Sequence, residues 1–245
     1  MPIIDRLIEN YDVKNLNSVF KDASPAPMIV LDDFFPEDTA KSLSKEIDSI
    51  DQDLCRKFTR NGSYMEECNN LSLMPSAQDV IGQLHSQTFM NWLNQVTGIN
   101  HLIPDPYLIG AGYSRSFKGD SLKNHIDFNW NDTIKLYRAL TLIIYLSEGW
   151  QEEWGGNLEF SSFDNQDQIN KVYIKWNRAI IWQHHESCFH GYPEPIDCPA
   201  DQSRKTLRLF YYVSNQEPLK DQPPHRSLYW YDLQNQRPVD DRSHE

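Results

Sequence analysis

The sequence is short of three things, and each shortage closes a line of interpretation. No apolar run approaches the roughly 20 residues that a membrane-spanning helix needs. The opening stretch MPIIDRLIEN carries acidic side chains early and has no apolar segment with a cleavage site. There are only four cysteines, Cys55, Cys68, Cys188 and Cys198, none in a CxxC pair and too scattered for a disulfide framework. Positive charge is also scarce: 23 lysines and arginines stand against 35 aspartates and glutamates, a net charge of −12. A nucleic-acid backbone would be repelled by that balance. The expectation is a reduced, cytoplasmic protein with neither nucleic acid nor membrane as a partner. Nothing in the sequence indicates its oligomeric state.

What is present is a globular composition. The chain has 245 residues, 39% of them hydrophobic and 12% aromatic, enough for a substantial core. It reads as one domain over 1–245, with a helix-rich support (1–105), a strand-rich core (106–214) and a C-terminal extension (215–245). In the support, a short apolar strand at Met28–Leu31 precedes Pro36 and a helical pattern on Ala40, Leu43 and Ile47. Residues 51–75 are polar, with Gly62 and Asn69–Asn70, and read as a loop. A single amphipathic helix is predicted from Ser76 to Val96, with Val80, Ile81, Leu84, Phe89, Trp92 and Leu93 on its apolar face.

From about residue 106 the period changes to that of strands. YLIGAGYSRS, NHIDFNW, RALTLIIYL, GNLEFSSF, KVYIKW, RAIIWQHH and TLRLFYYV are short β-branched or aromatic runs divided by turn residues. Trp154-Gly155-Gly156-Asn157 marks a tight turn between two of them. So many strands in so few residues predict a sandwich or jelly roll, mainly β, with the front helices buttressing one sheet. The aromatic and polar tail PPHRSLYWYDLQNQRPVDDRSHE reads either as a cover over the barrel mouth or as a loosely ordered terminus.

One segment, SLKNHIDFNWN, carries candidate chemistry. On a strand, His125, Asp127 and Asn129 share a face while Ile126 and Phe128 share the other. A nitrogen and an oxygen donor side by side make a metal seat when a third ligand arrives from a distant strand. His184, His185 and His190 all qualify, and the residues alone do not choose among them. Two imidazoles and one carboxylate form the facial set of non-haem iron oxygenases, which leaves positions open for co-substrate and O₂. A dicarboxylate co-substrate would need a guanidinium nearby. SRKTLRLFYYV supplies Arg204 and Arg208, which share a strand face, while Lys205 points the other way.

In their order, NHIDFN, RALTLIIYLSEGW, EEWGGNLEF, NRAIIWQHHESCFHGYPEPI and RKTLRLFYYV resemble the motifs of iron- and 2-oxoglutarate-dependent dioxygenases of the prolyl 4-hydroxylase type, with bacterial and phage members the nearest in pattern. MIVLDDFFPEDTAKSL resembles their front strand and helix, so the resemblance spans about Met28 to Val213. It implies a double-stranded β-helix, the jelly-roll core also seen in cupins. It implies Fe(II) held by His125, Asp127 and His190, the last because FHGYP stands where the family places its distal ligand. His184 and His185 would then be structural or supporting. Arg204 would pair with the far carboxylate of 2-oxoglutarate, with Arg208 as the alternative. Tyr145 and Tyr113 resemble tyrosines that hydrogen-bond the same carboxylate, and Thr141 would line that pocket. The resemblance implies O₂ as co-reactant, admits ascorbate as an auxiliary, and predicts hydroxylation with release of succinate and CO₂. An intact Asp127 argues for hydroxylation, since halogenating relatives replace that carboxylate with a small residue. The first expectation for substrate is a prolyl residue in a peptide or protein. A free amino acid or other small metabolite is the second, and a non-catalytic β-barrel binding module the third.

Overall fold

Helices α1 (Ile3–Asn10) and α2 (Val13–Asp22) lead into strand β1 (Met28–Leu31) and helix α3 (Glu37–Ser49). The hairpin of β2 (Arg56–Arg60) and β3 (Ser63–Cys68) follows, then helices α4 (Pro75–Leu84) and α5 (Gln87–Thr97). The rest is strand: β4 (Ile103–Pro104), β5 (Gly112–Ser116), β6 (Leu122–Ile126), β7 (Trp130–Asn131), β8 (Leu136–Tyr145), β9 (Leu158–Ser162), β10 (Asn170–Val172), β11 (Ala179–Gln183), β12 (Cys188–Tyr192), β13 (Arg204–Val213) and β14 (Leu228–Tyr229). The computed structural model describes residues 2–165, 168–214, 223–230 and 233. Most of the extension expected over 215–245 lies outside these.

The strands form two antiparallel sheets. The larger runs β1-β11-β8-β13-β5-β3-β2, with β4 on β13 and β7 on β8; the smaller runs β10-β9-β12-β6-β14. Ile143, Tyr145, Ile180 and Trp182 of the larger sheet pack against Leu158, Phe160 and Cys188 of the smaller. The other face of the larger sheet is covered by helices, where Leu140, Leu142, Ile144 and Leu207 join Leu43, Ile47 and Phe89 in one core. Strand β8 is therefore buried on both faces, which explains its near-continuous apolar run. On β13, Lys205 leaves the barrel to pair with Asp48 at 2.6 Å, while Thr206 on the opposite face meets Ser114 at 2.7 Å. This is the jelly roll expected, with helices α1–α5 packed on the larger sheet.

Two expectations in the support change. The helix predicted over 76–96 is two helices, because the Ser86 hydroxyl accepts from the Phe89 amide and starts α5 anew. Residues 51–75 hold the β2–β3 hairpin, turned on Asn61 (φ 51°) and Gly62 (φ 76°). An Asn-Gly pair with both φ positive is the favoured two-residue hairpin turn; the largely exposed outer strand hid it, since β2 shows little apolar alternation.

Candidate metal centre and co-substrate pocket

The smaller sheet brings two distant histidines together. Strands β6 and β12 are neighbours, and His125 lies directly opposite His190, with ring centroids 4.6 Å apart. Close approach depends on Gly191: a Cβ there would lie 2.5 Å from the Leu122 carbonyl oxygen. On the other side of β6, Tyr229 of β14 pairs with His125 and stacks on its ring at 5.2 Å. Strand β6 ends at Ile126, so Asp127 lies just past the strand and not within it, yet its carboxylate still meets both rings. Asp127 Oδ1 is 3.4 Å from His125 Nε2, and Oδ2 is 3.3 Å from His190 Nε2.

The donor set fits a divalent ion. Metal–ligand lengths of about 2.1 Å, with an angle slightly over 90° at the ion, separate two ligand atoms by roughly 3.0–3.4 Å. His125 Nδ1 lies 2.9 Å from the Lys123 carbonyl oxygen, which can only accept. That contact puts the proton on Nδ1 and turns the Nε2 lone pair toward the carboxylate, the wiring typical of a metal-binding histidine. Burial pushes the Asp127 carboxyl up, but Arg138 and His190 outweigh it and hold it well below its ordinary value. Burial lowers His190, favouring the neutral imidazole that a metal requires. Trp182 and Phe160 close over His190, at 5.2 and 5.8 Å.

Arg138 was not foreseen as part of this centre. It is 1% exposed, and its Nη2 lies 2.9 Å from Asp127 Oδ2. Its guanidinium stacks 3.5 Å from the Phe210 ring and donates through Nη2 to Thr141 Oγ1 at 2.8 Å. Thr141 accepts this bond on the barrel side of β8 and so orients Arg138. The remaining nitrogen, Nη1, is buried with no hydrogen-bond partner. A charged residue inside RALTLIIYL was the available signal.

Further in, Arg204 is 3% exposed and packed between Tyr192 (4.3 Å) and Tyr145 (5.1 Å). Its Nε donates to the Gly156 carbonyl at 2.8 Å and its Nη2 to the Tyr145 hydroxyl at 3.3 Å. Gly156, at φ +74°, makes room: a Cβ there would press within 3.2 Å of Arg204 Cδ. Among the described residues no carboxylate pairs with this buried cation, and a buried charge without a counter-charge is costly. A ligand carboxylate would supply what is missing. Burial raises the Tyr145 hydroxyl, offset in part by Arg204, so it stays protonated and can donate to the same carboxylate. Arg208, the alternative, already has its partner in Glu67.

Tyr113 is placed elsewhere. On β5 the even positions Ser114 and Ser116 face the barrel, whereas Tyr113 faces the helices and donates to Glu46 Oε1 at 2.9 Å. The expectation that it binds the co-substrate fails for that reason; it helps anchor α3, as Glu46 also accepts from the Ser76 and Ala77 amides. His185 is exposed and accepts from the Ser187 amide, whereas His184 contacts Glu186 at 3.0 Å. Neither reaches Asp127.

Residues 111–212 match the model of the 2OG-Fe(II) oxygenase superfamily. The fold is similar to that of a prolyl hydroxylase from Trichoplax adhaerens solved with a hypoxia-inducible-factor peptide fragment, at 14% identity and TM-score 0.61, covering 89% of this chain and 96% of that one. It is similar to a prolyl 4-hydroxylase from Phytophthora capsici, at 17% identity and TM-score 0.61 over 96% and 73% of the two chains. HygX from Streptomyces hygroscopicus, solved with nickel and 2-oxoglutarate bound, matches at 12% identity and TM-score 0.55 over 88% and 97%. A search of curated proteins found no match. The family model spans the strands that carry the two histidines, Asp127 and Arg204, and its class is an oxidoreductase that works with iron, 2-oxoglutarate and O₂. The strand-rich half of this chain thus matches the 2OG-Fe(II) oxygenase superfamily, and the chain is similar in fold to prolyl hydroxylases. No helix among the described residues is long and apolar enough to cross a membrane.

Proposed function

We propose that His125, Asp127 and His190 hold Fe(II), that Arg204 and Tyr145 bind the far carboxylate of 2-oxoglutarate, and that the site hydroxylates a prolyl residue in a peptide or protein. Iron bound there would couple O₂ to decarboxylation of 2-oxoglutarate, yielding succinate and CO₂, and deliver a hydroxyl to an unactivated C–H bond. The protein's share is placement. Asp127 supplies one negative charge to the ion, Arg138 and Thr141 fix that carboxylate's orientation, and the tyrosine-packed Arg204 sets the depth of the co-substrate. The observation that carries the reading is the buried Arg204 without a carboxylate, on the inner face of the same barrel as the three ligands.

Two features support a peptide over a free amino acid. Arg138 Nη1 is a spare buried donor beside Asp127, and with its charge already met by that carboxylate it suits a neutral backbone carbonyl. Strand β2, Arg56–Arg60, is the outer edge of the larger sheet, unpaired on one side among the described residues and bearing three cations in RKFTR. An extended peptide can use such an edge. The test is succinate release with Fe(II) and 2-oxoglutarate supplied, comparing proline-containing peptides with free proline and other amino acids. Stimulation by peptides is expected. Stimulation by free amino acids alone would replace the substrate class with the small-metabolite reading. Bound iron and 2-oxoglutarate without succinate from any substrate would favour a binding module.

A further inference from the structure

A second histidine–carboxylate–histidine group stands apart from the iron ligands. Glu186, in the turn between β11 and β12, takes His184 Nε2 on Oε1 at 3.0 Å and His225 Nε2 on Oε2 at 2.7 Å. His184 is 6% exposed, and the side chains of Glu186 and His225 are 20% and 14% exposed. The ligand atoms of all three lie within 4.8 Å of one another. Two of the residues belong to the barrel and the third to the C-terminal segment.

The wiring of His225 repeats that of His125. Its Nδ1 lies 2.7 Å from the Arg226 carbonyl oxygen, an acceptor only, so the ring proton of neutral His225 sits on Nδ1. The Nε2 lone pair then faces a carboxylate oxygen across 2.7 Å, acceptor against acceptor. A cation has to lie between them, either a proton or a metal ion. Asn129 holds the carboxylate in place, donating through Nδ2 to Glu186 Oε1 at 3.2 Å and to the Pro223 carbonyl at 3.1 Å. An imidazole fixed by a carbonyl and a carboxylate fixed by an amide are the outer supports expected around a metal ligand set.

We propose that His184, Glu186 and His225 form a second divalent-metal site, of the type that zinc(II) occupies, which ties the C-terminal segment to the barrel beside the iron centre. Two imidazoles and one carboxylate suit zinc and leave a fourth position for water. At metal–ligand lengths of about 2.1 Å, the tetrahedral angle at zinc separates the donors by about 3.4 Å, so the 3.0 Å His184–Glu186 contact has to open by roughly 0.4 Å. The 2.7 Å His225 contact has to open by roughly 0.7 Å on the same measure. Occupancy would fix the reciprocal bonds between the segment and the loop after Asp127, in which the His225 amide donates to Asn129 Oδ1 at 2.8 Å and the Asn129 amide to the His225 carbonyl at 3.3 Å. The proposal does not depend on the substrate assigned above, and its test needs neither 2-oxoglutarate nor turnover.

The test is titration of the chelator-stripped full chain with zinc(II) alone, followed by calorimetry and metal analysis. The wild type should bind two ions per chain, Glu186→Gln and His225→Ala one each, and His190→Ala should keep the second. Circular dichroism checks that the variants fold. If Glu186→Gln does not fold, hydrogen exchange on the wild type decides: zinc should slow exchange at the amides of Asn129 and His225 at least about tenfold. One ion per chain in the wild type would overturn the proposal. So would two ions retained in folded Glu186→Gln, or wild-type amides at those two positions that ignore zinc.

Discussion

The two histidine–carboxylate–histidine groups use the same parts in different settings. In the candidate iron centre, the histidines sit opposite each other on adjacent strands, β6 and β12, and each stands 3.3 or 3.4 Å from the Asp127 carboxylate. In the second group, one histidine comes from a segment that reaches the barrel through β14 and Asn129, and the donors have closed to 2.7 and 3.0 Å. A sheet holds acceptors apart at a spacing ready for an ion, because register fixes both backbones. A turn and a terminal segment, with no shared register to hold them apart, settle onto each other at hydrogen-bond distance. Preorganisation, more than ligand identity, separates the two.

The largest effect expected on that contrast is at Asp127. Replacing it with Ala removes a ligand and the charge that balances the ion, while leaving Arg138 buried without its counter-charge. Iron affinity should fall by more than about a hundredfold, beyond the 10–100-fold that loss of a mere supporting contact costs, and succinate formation should cease. Metal analysis after dialysis checks the first and a succinate assay the second. An Asp127→Ala protein that keeps iron would mean that the spacing of the rigid site has been misread.

Arg204 gives the next effect. Its replacement by Ala should raise the apparent constant for 2-oxoglutarate at least about tenfold, the equivalent of the ~1.5–3 kcal/mol of a hydrogen bond to a charged group. Iron content should hardly change, since Arg204 touches neither histidine. Lys should rescue only in part, because a point charge cannot reproduce the fork between Gly156 and Tyr145. An unchanged constant for Arg204→Ala, beside a large loss for Arg208→Ala, would move the co-substrate to the strand's other arginine.

How much of this could be read without coordinates depends on how local each signal is. His125 and Asp127 are two apart, and Arg204 and Arg208 four apart on one strand, so simple alternation proposed them. The choice of His190 from residues alone was not available, because what selects it is the β6–β12 pairing, and CFHGY did not read as a strand. Arg138 escaped for a sharper reason. Tyr211 pairs with Leu140 but Tyr212 with Arg138, so Ala139 is bulged out and the parity of β8 inverts. Strict alternation would have put Arg138 among the helices with Leu140 and Leu142. Tyr113 shows the converse: on β5 alternation holds, but it does not say which face is the barrel's. His225 was beyond reach, since it joins Glu186 only through the path of the terminal segment.

The smallest effect concerns the proton in the second group. For Glu186, burial pushes the carboxyl up, yet His184 and His225 prevail and hold it far below its ordinary 4.5. Burial pulls His225 down from 6.5, but Glu186 and the Arg226 carbonyl together raise it, with Asp127 adding at longer range. The depressed carboxylate gives stability that is present above about 4.5 and lost as pH falls through its folded value. The raised imidazole gives stability that is present below about 6.5 and lost as pH rises through its folded value. Without metal, the segment should therefore be held best between those two limits and loosen toward pH 8. Partial exposure keeps the change to a few-fold in exchange protection. Zinc replaces the proton, so with zinc present the protection at pH 8 should be restored. Hydrogen exchange at the His225 amide, corrected for the intrinsic pH dependence of exchange, measures both arms. Protection that climbs with pH in the metal-free protein would mean that His225 is not protonated against Glu186, and that the closed 2.7 Å contact is held by something other than a shared proton.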